Sequence, residues 1–175
     1  TEFNGGQSLG ITLAGNGLTL GVYGAERDND SGTARDTDSF EGVWYANYSA
    51  GPVSFGYSAS YHDAGQVVSA ETTGAAKVVN TAGGLFETEM YSIAFNVNDN
   101  MSVSYGKATD TYDNQSNNSS GTETADVEME IKSIQAAYTM GSMSIKAQRT
   151  ETDNIKYDAN GGSVTKTEVA LGLAF

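Results

Sequence analysis

Cysteine is absent from the 175 residues, proline occurs once, and only nine Lys and Arg face 22 Asp and Glu. The missing thiols exclude disulfides, a cysteine nucleophile and thiolate metal sites. A formal charge of -13 with so few, scattered basic residues excludes nucleic acid as a partner, because phosphate binding needs clustered Lys and Arg. No apolar run approaches the ~18 residues of a membrane-spanning helix, although a spanning strand needs only about 9 to 11. With 38% apolar residues and a mean hydropathy of -0.37, material for a conventional core is short as well.

What the chain does have is 21 Gly, 10 Tyr, 6 Phe and one Trp, a mixture that favours short strands and tight turns. Polar, acidic composition also fits disorder, but the regular alternation argues against it. The last strand sets the pattern: Val169, Leu171, Leu173 and Phe175 alternate with Ala170, Gly172 and Ala174. Nine strands are predicted, at 6–14, 18–27, 39–50, 53–62, 87–97, 101–110, 127–140, 143–152 and 163–175. Their connections alternate. Short ones are Ala14-Gly15-Asn16-Gly17, Gly51-Pro52, Asn98-Asp99-Asn100 and Gly141-Ser142, all suited to hairpins. Long ones, 28–38, 63–86, 111–126 and 153–162, are rich in Asp, Asn, Ser, Thr and Gly.

Residues paired across a hairpin share a face of the sheet, so parity tests the reading. Pairing Ala50 with Val53 puts Trp44, Ala46 and Tyr48 with Phe55, Tyr57, Ala59 and Tyr61. Met140 with Met143 aligns Ile134, Ala136 and Tyr138 with Ile145 and Ala147. Val97 with Met101 aligns Tyr91, Ile93 and Phe95 with Val103 and Tyr105, and Leu13 with Leu18 aligns Leu9 and Ile11 with Leu20 and Val22. The opposite face carries Ser54, Gly56, Ser58, Ser60 and His62 on one strand and Ser144, Lys146, Gln148 and Thr150 on another. One apolar face, one hydrated face and long loops at a single rim form the pattern of a transmembrane barrel. Tyr48, Tyr138 and Phe175 fall near the short-turn rim, where an aromatic girdle meets lipid headgroups. The seventh strand breaks parity, Val127, Met129 and Ile131 being odd while Ile134, Ala136, Tyr138 and Met140 are even. A bulge near Lys132-Ser133, or extension above the membrane, would absorb the slip.

The terminal Val169-Ala170-Leu171-Gly172-Leu173-Ala174-Phe175, the Gly and Asn hairpins and the acidic loops together resemble the C-terminal half of a Gram-negative general-diffusion porin of the alphaproteobacterial type. Ala170 stands where that family's terminal motif often has Gly. The resemblance implies an all-β, antiparallel up-and-down barrel, with residues 1–175 as the C-terminal portion of one domain and about nine of sixteen strands. It further implies an outer-membrane location, passive diffusion of small hydrophilic solutes and ions, no enzymatic chemistry, contact with lipid and lipopolysaccharide, and a homotrimer. The strands before Thr1, and the pore-narrowing loop they carry, are expected outside this sequence. Two alternatives stand beside it: a complete eight-stranded barrel over 18–175 with a structural or adhesive role, and a secreted β-protein with calcium-dependent loops.

Arg27, Lys146 and Lys166 have the parity of the hydrated face and are expected to line the pore, where the porin resemblance sets basic wall residues against acids on an inward loop. His62, the only histidine, has the same parity near the long-loop rim. With Asp63 beside it, His62 also has the ingredients of acid–base chemistry, but pore lining is the reading adopted. Lys107 and Arg149 have lipid-facing parity toward that rim, where long side chains snorkel. Asp28-Asn29-Asp30-Ser31-Gly32 suggests a calcium loop but fails the EF-hand pattern, since Gly32 comes one place early and Ser39 holds the twelfth position. Calcium at Asp28, Asp30, Asp36 and Asp38, with Glu41, is the one cofactor considered, and no other is expected. Asn114-Gln115-Ser116 and Asn118-Ser119-Ser120 match glycosylation sequons but read as loop.

Overall fold

The computed structural model describes residues 5–28, 39–63, 85–113 and 126–174. They form nine strands: β1 Gly5–Gly15, β2 Leu18–Asp28, β3 Ser39–Ala50, β4 Val53–Asp63, β5 Leu85–Asn98, β6 Met101–Asp113, β7 Val127–Met140, β8 Met143–Asp153 and β9 Ser163–Leu173. A single 3-10 turn, Ile155–Tyr157, follows β8. The strands lie in one sheet in chain order, and each pairs antiparallel with its neighbour in an up-and-down meander.

The short turns explain the meander. Asn16 and Gly17 both have positive φ, 50° and 80°, which is the type I′ geometry that matches the twist of flanking strands. This turn closes on Gly15 and Leu18, so Leu13 pairs with Leu20 and not with Leu18 as the sequence suggested. A shift of two preserves the face of every side chain, and the parity argument survives it. Between β5 and β6 the turn is Asp99-Asn100, closed on Asn98 and Met101, with Val97 bulged out of register. Neither turn residue has positive φ, so this turn does not match the strand twist and the bulge takes up the difference. Beyond it Asn96 faces Ser102 and Phe95 faces Val103, the register that a Val97–Met101 pairing also produces.

Cross-strand rows make the apolar face continuous. Leu18, Tyr48, Phe55, Ile93, Tyr105 and Ile134 oppose one another in succession from β2 to β7. The next row runs Val53, Phe95, Val103, Ala136, Ala147 and Val169 from β4 to β9. The first row starts at the turn rim on β2 and reaches Arg149 in the middle of β8, so the strands are sheared past one another. Shear of this kind goes with strands tilted in a curved sheet.

No described residue covers this face. Among the described residues no hydrophobic side chain is buried, and Leu9, Val22, Leu171 and Val169 expose 72%, 61%, 62% and 71% of their surface. A water-soluble domain of this size would bury most of that area in a core.

β7 has no bulge at Lys132-Ser133. Its register against β6 and β8 is continuous from end to end. Ile131 therefore turns to the face of Ser133, Gln135 and Ala137, opposite to Ile134, and the change of parity is a change in what each face holds.

Candidate functional site

The polar face is the concave one, and the hollows of the sheet lie on it. A groove of about 730 Å³ lies on it, walled by Tyr45, Ser58, Ser92, Ala108, Ser133 and Gln135 from five successive strands, β3 to β7. A second hollow is lined by Ser102, Ser104, Gln135, Lys146, Gln148 and Glu168. Ser, Gly, Ala, Asn and Gln dominate this half of the wall, as alternation predicts, because their small or amide side chains tolerate water on one side of a strand whose other side is apolar.

The expected site residues separate when placed in space. Lys146 lies in the second hollow, between Ala137 and Ala170 on the adjoining strands. Lys166 stands on the same face, but its Nζ is 2.8 Å from Glu168 Oε1, whose other oxygen accepts from Gln148 Nε2 at 2.7 Å. Lys166 is thus offset by a partner, whereas Lys146 has no ion-pair partner among the described residues. His62 is also on the concave face: its Nδ1 lies 3.1 Å from Glu41 Oε1, and its ring meets Phe86 at 6.1 Å. The Arg27 backbone pairs with Gly6 in β1 and Ser39 in β3, in the register of the concave face, while its side chain lies outside the described part. Of the calcium residues, Asp30, Asp36 and Asp38 lie outside the described residues, as does the Asp28 side chain, and Glu41 is engaged by His62. Both sequons and Phe175 fall outside as well.

On β5 to β9 the outer face changes character along one line. Going from the short turns toward the long connections, Tyr91 gives way to Glu89, Tyr105 to Lys107, Ile134 to Lys132, Ala147 to Arg149 and Val169 to Thr167. Below the line the face is apolar, and from Met140 to Ile134 it extends ~20 Å along β7 at the usual strand rise. Just above it Glu130 accepts from both Lys107 and Lys132, and Lys132 Nζ lies 3.9 Å from Asp153 Oδ2. Lys107 therefore has a carboxylate partner beside the apolar zone, which the parity argument did not supply.

Sequence reasoning missed the aromatic lining. Tyr23 and Tyr45 lie on the concave face and stack, with centroids 6.3 Å apart and planes 10° from parallel. Each ring lies flat over a glycine of the preceding strand: a Cβ at Gly10 would come within 2.2 Å of Tyr23, and one at Gly21 within 2.3 Å of Tyr45. The Tyr23 hydroxyl shares a hydrogen bond with Thr12 Oγ1 at 2.6 Å. Near the long-connection end of the same face Phe86, Tyr112 and Tyr157 form a cluster with centroids 4.9 to 5.5 Å apart. The available signal was the pairing of Gly10 and Gly21 with tyrosines on the neighbouring strand, which shows only once the register is known.

No protein-family model matches this chain, and no curated protein matches it.

Proposed function

We propose that this chain forms part of the wall of a water-filled channel in the bacterial outer membrane, of the general-diffusion porin kind, through which small hydrophilic solutes and ions pass passively. One observation carries the reading: a continuous apolar belt stands uncovered on the convex side while the concave side holds Ser, Asn, Gln and Lys. Lipid satisfies the first and water the second, and only a closed barrel keeps the strand edges paired in a bilayer. The sharp line at Tyr91/Glu89, Tyr105/Lys107 and Ile134/Lys132 supports a membrane boundary at that level, with lipopolysaccharide headgroups beside the charged half.

Closure needs further strands. β1 and β9 both run toward the short-turn rim, so they pair in antiparallel fashion only through an odd number of additional strands, roughly seven in a barrel of about sixteen. β2 already pairs on both sides, with β1 and β3, which leaves it no edge for β9 and argues against the eight-stranded barrel over 18–175. A trimer, as in the porins the sequence resembles, fits the same reading.

The test is a planar-bilayer recording with the purified native protein. Stepwise conductance that scales with salt supports the channel, and a protein that inserts but carries no current overturns it. Spin labels at Trp44, Phe95 and Leu171 are expected to contact lipid, and labels at Ser58 and Ser144 to contact water.

A further inference from the structure

The connection after β8 reaches far beyond the two strands it joins. β8 and β9 are adjacent, and a two-residue turn such as Gly141-Ser142 would suffice to link them. Instead residues 154–162 fold back over the concave face. Asn154 Nδ2 donates to the Glu128 carbonyl on β7 at 2.9 Å, and the Tyr157 hydroxyl donates to Asp110 Oδ2 on β6. The Tyr157 ring packs edge-on against Phe86 of β5 at 5.5 Å and tilted against Tyr112 of β6 at 5.5 Å. Phe86, Asp110 and Tyr112 all share the concave face with His62 and Ala108. From β8 to β5 there are three strand spacings, ~14 Å, and the segment covers that span on the side where solute would pass.

The segment is also built to hold its shape. The Asn154 N–H donates to the Gly162 carbonyl at 3.1 Å and closes the base, while the Tyr157 N–H donates to the Asn154 carbonyl at 3.0 Å. Asp158 accepts from Gly161 N–H through its carbonyl at 2.7 Å and from Asn160 N–H through Oδ1 at 2.9 Å. Asn154, Lys156 and Tyr157 have φ of 54°, 62° and 56°, a left-handed conformation that side chains with a Cβ adopt at a cost. Such strain persists only where surrounding contacts fix it, and here the contacts are those of Tyr157. Beneath it, Val127, Met129 and Ile131 of β7 turn to the concave side, which accounts for the parity change in that strand.

We infer that residues 154–162 form a fixed constriction of the channel, and that Tyr157, latched to Asp110 on a floor of Phe86 and Tyr112, sets its width. The inference rests on the channel reading. It places a narrowing element within this chain, contrary to the expectation that the constriction lies wholly outside it. Small hydrophilic solutes pass the strap and bulky ones are slowed.

The chain has no cysteine, so a single one can be read alone. Ala108→Cys lies on the concave wall in the groove, two positions from Asp110. In the reconstituted native protein this cysteine is labelled with a small charged thiol reagent and with a polyethylene-glycol maleimide. Adding Tyr157→Ala is expected to raise the rate of the bulky reagent several-fold, leave the small one unchanged and increase single-channel conductance. Tyr157→Phe keeps the ring and removes the latch hydroxyl; should the alanine variant fail to fold, it gives the same readout with a smaller rise. Unchanged labelling and conductance in a conducting protein overturn the constriction alone. A wild type without conductance overturns the channel reading and the constriction with it.

Discussion

Ala136 and Ala137 are neighbours on β7, yet the sheet sets the first between Val103 and Ala147 and the second between Ser102 and Lys146. One methyl lies within the apolar belt and the next in the polar hollow. Two identical side chains in one strand thus provide an internal control. Ala136→Arg is expected to cost about 2 to 4 kcal/mol of folding stability in a bilayer, the penalty for a cation near the lipid midplane, while Ala137→Arg stays close to zero. Urea titration in lipid vesicles measures both, and equal costs would mean that the belt does not face lipid.

Tyr45 lies flat over Gly21, and no Cβ fits beneath it. Gly21→Val is expected to lift the ring, break its stack with Tyr23 and cost about 1 to 3 kcal/mol, as overpacking does elsewhere. Gly15→Val, where nothing lies within 4 Å, removes no such contact and serves as the control. Similar denaturation midpoints for the two variants would remove the ring-over-glycine account.

Much of this fold was legible because strand periodicity and hairpin turns are local signals. The nine strands, the order of turns and the face of each side chain follow from alternation and from residues such as Asn16-Gly17 and Gly51-Pro52. Turn type was harder: the Leu13–Leu18 pairing missed by two because four flexible residues accommodate either a wide loop or a tight I′ turn. Ile131 and Ile134 point to opposite faces without a bulge, since the apolar residues of upper β7 serve the aromatic floor, which is a tertiary demand. Tyr157 on Phe86 and Asp110 joins residues 71 and 47 positions apart, and no periodicity records such a contact. Lys146 and Lys166 were placed on the right face, but the Glu168 partner of Lys166 required the register.

Those two lysines differ in effective charge. Lys146 stands in the hollow between two alanines, while the charge of Lys166 is offset by Glu168 at 2.8 Å. Lys146→Glu alone is therefore expected to shift the reversal potential in a salt gradient toward cation preference more than Lys166→Glu alone, and the double variant more than either. The effect should shrink as salt rises and screening sets in. An unmoved potential in the double variant would place both residues away from the permeation path.

The latch has its own pH signature. Burial first, then the hydrogen bond to Asp110 and the charge of that carboxylate, push the Tyr157 phenol from its ordinary 10 up to about 12. Only the protonated phenol donates to Asp110, so the folded state holds this proton more tightly than the unfolded chain does. The stabilisation is therefore fully present below pH 10 and is lost as pH rises through about 12. Neutral or mildly alkaline conditions leave the strap closed, and strongly alkaline ones release it. Burial and neighbouring carboxylates also raise Tyr61, so in ultraviolet difference absorbance of the ten tyrosines Tyr157→Phe is expected to remove one phenol's share of the tyrosinate signal near pH 12 and leave the rest. In the same range, wild-type single-channel conductance should rise by more than that of Tyr157→Phe, whose latch hydroxyl is already gone. A conductance that rises equally in both proteins through pH 12, or in neither, would mean that the Tyr157–Asp110 hydrogen bond does not hold the strap.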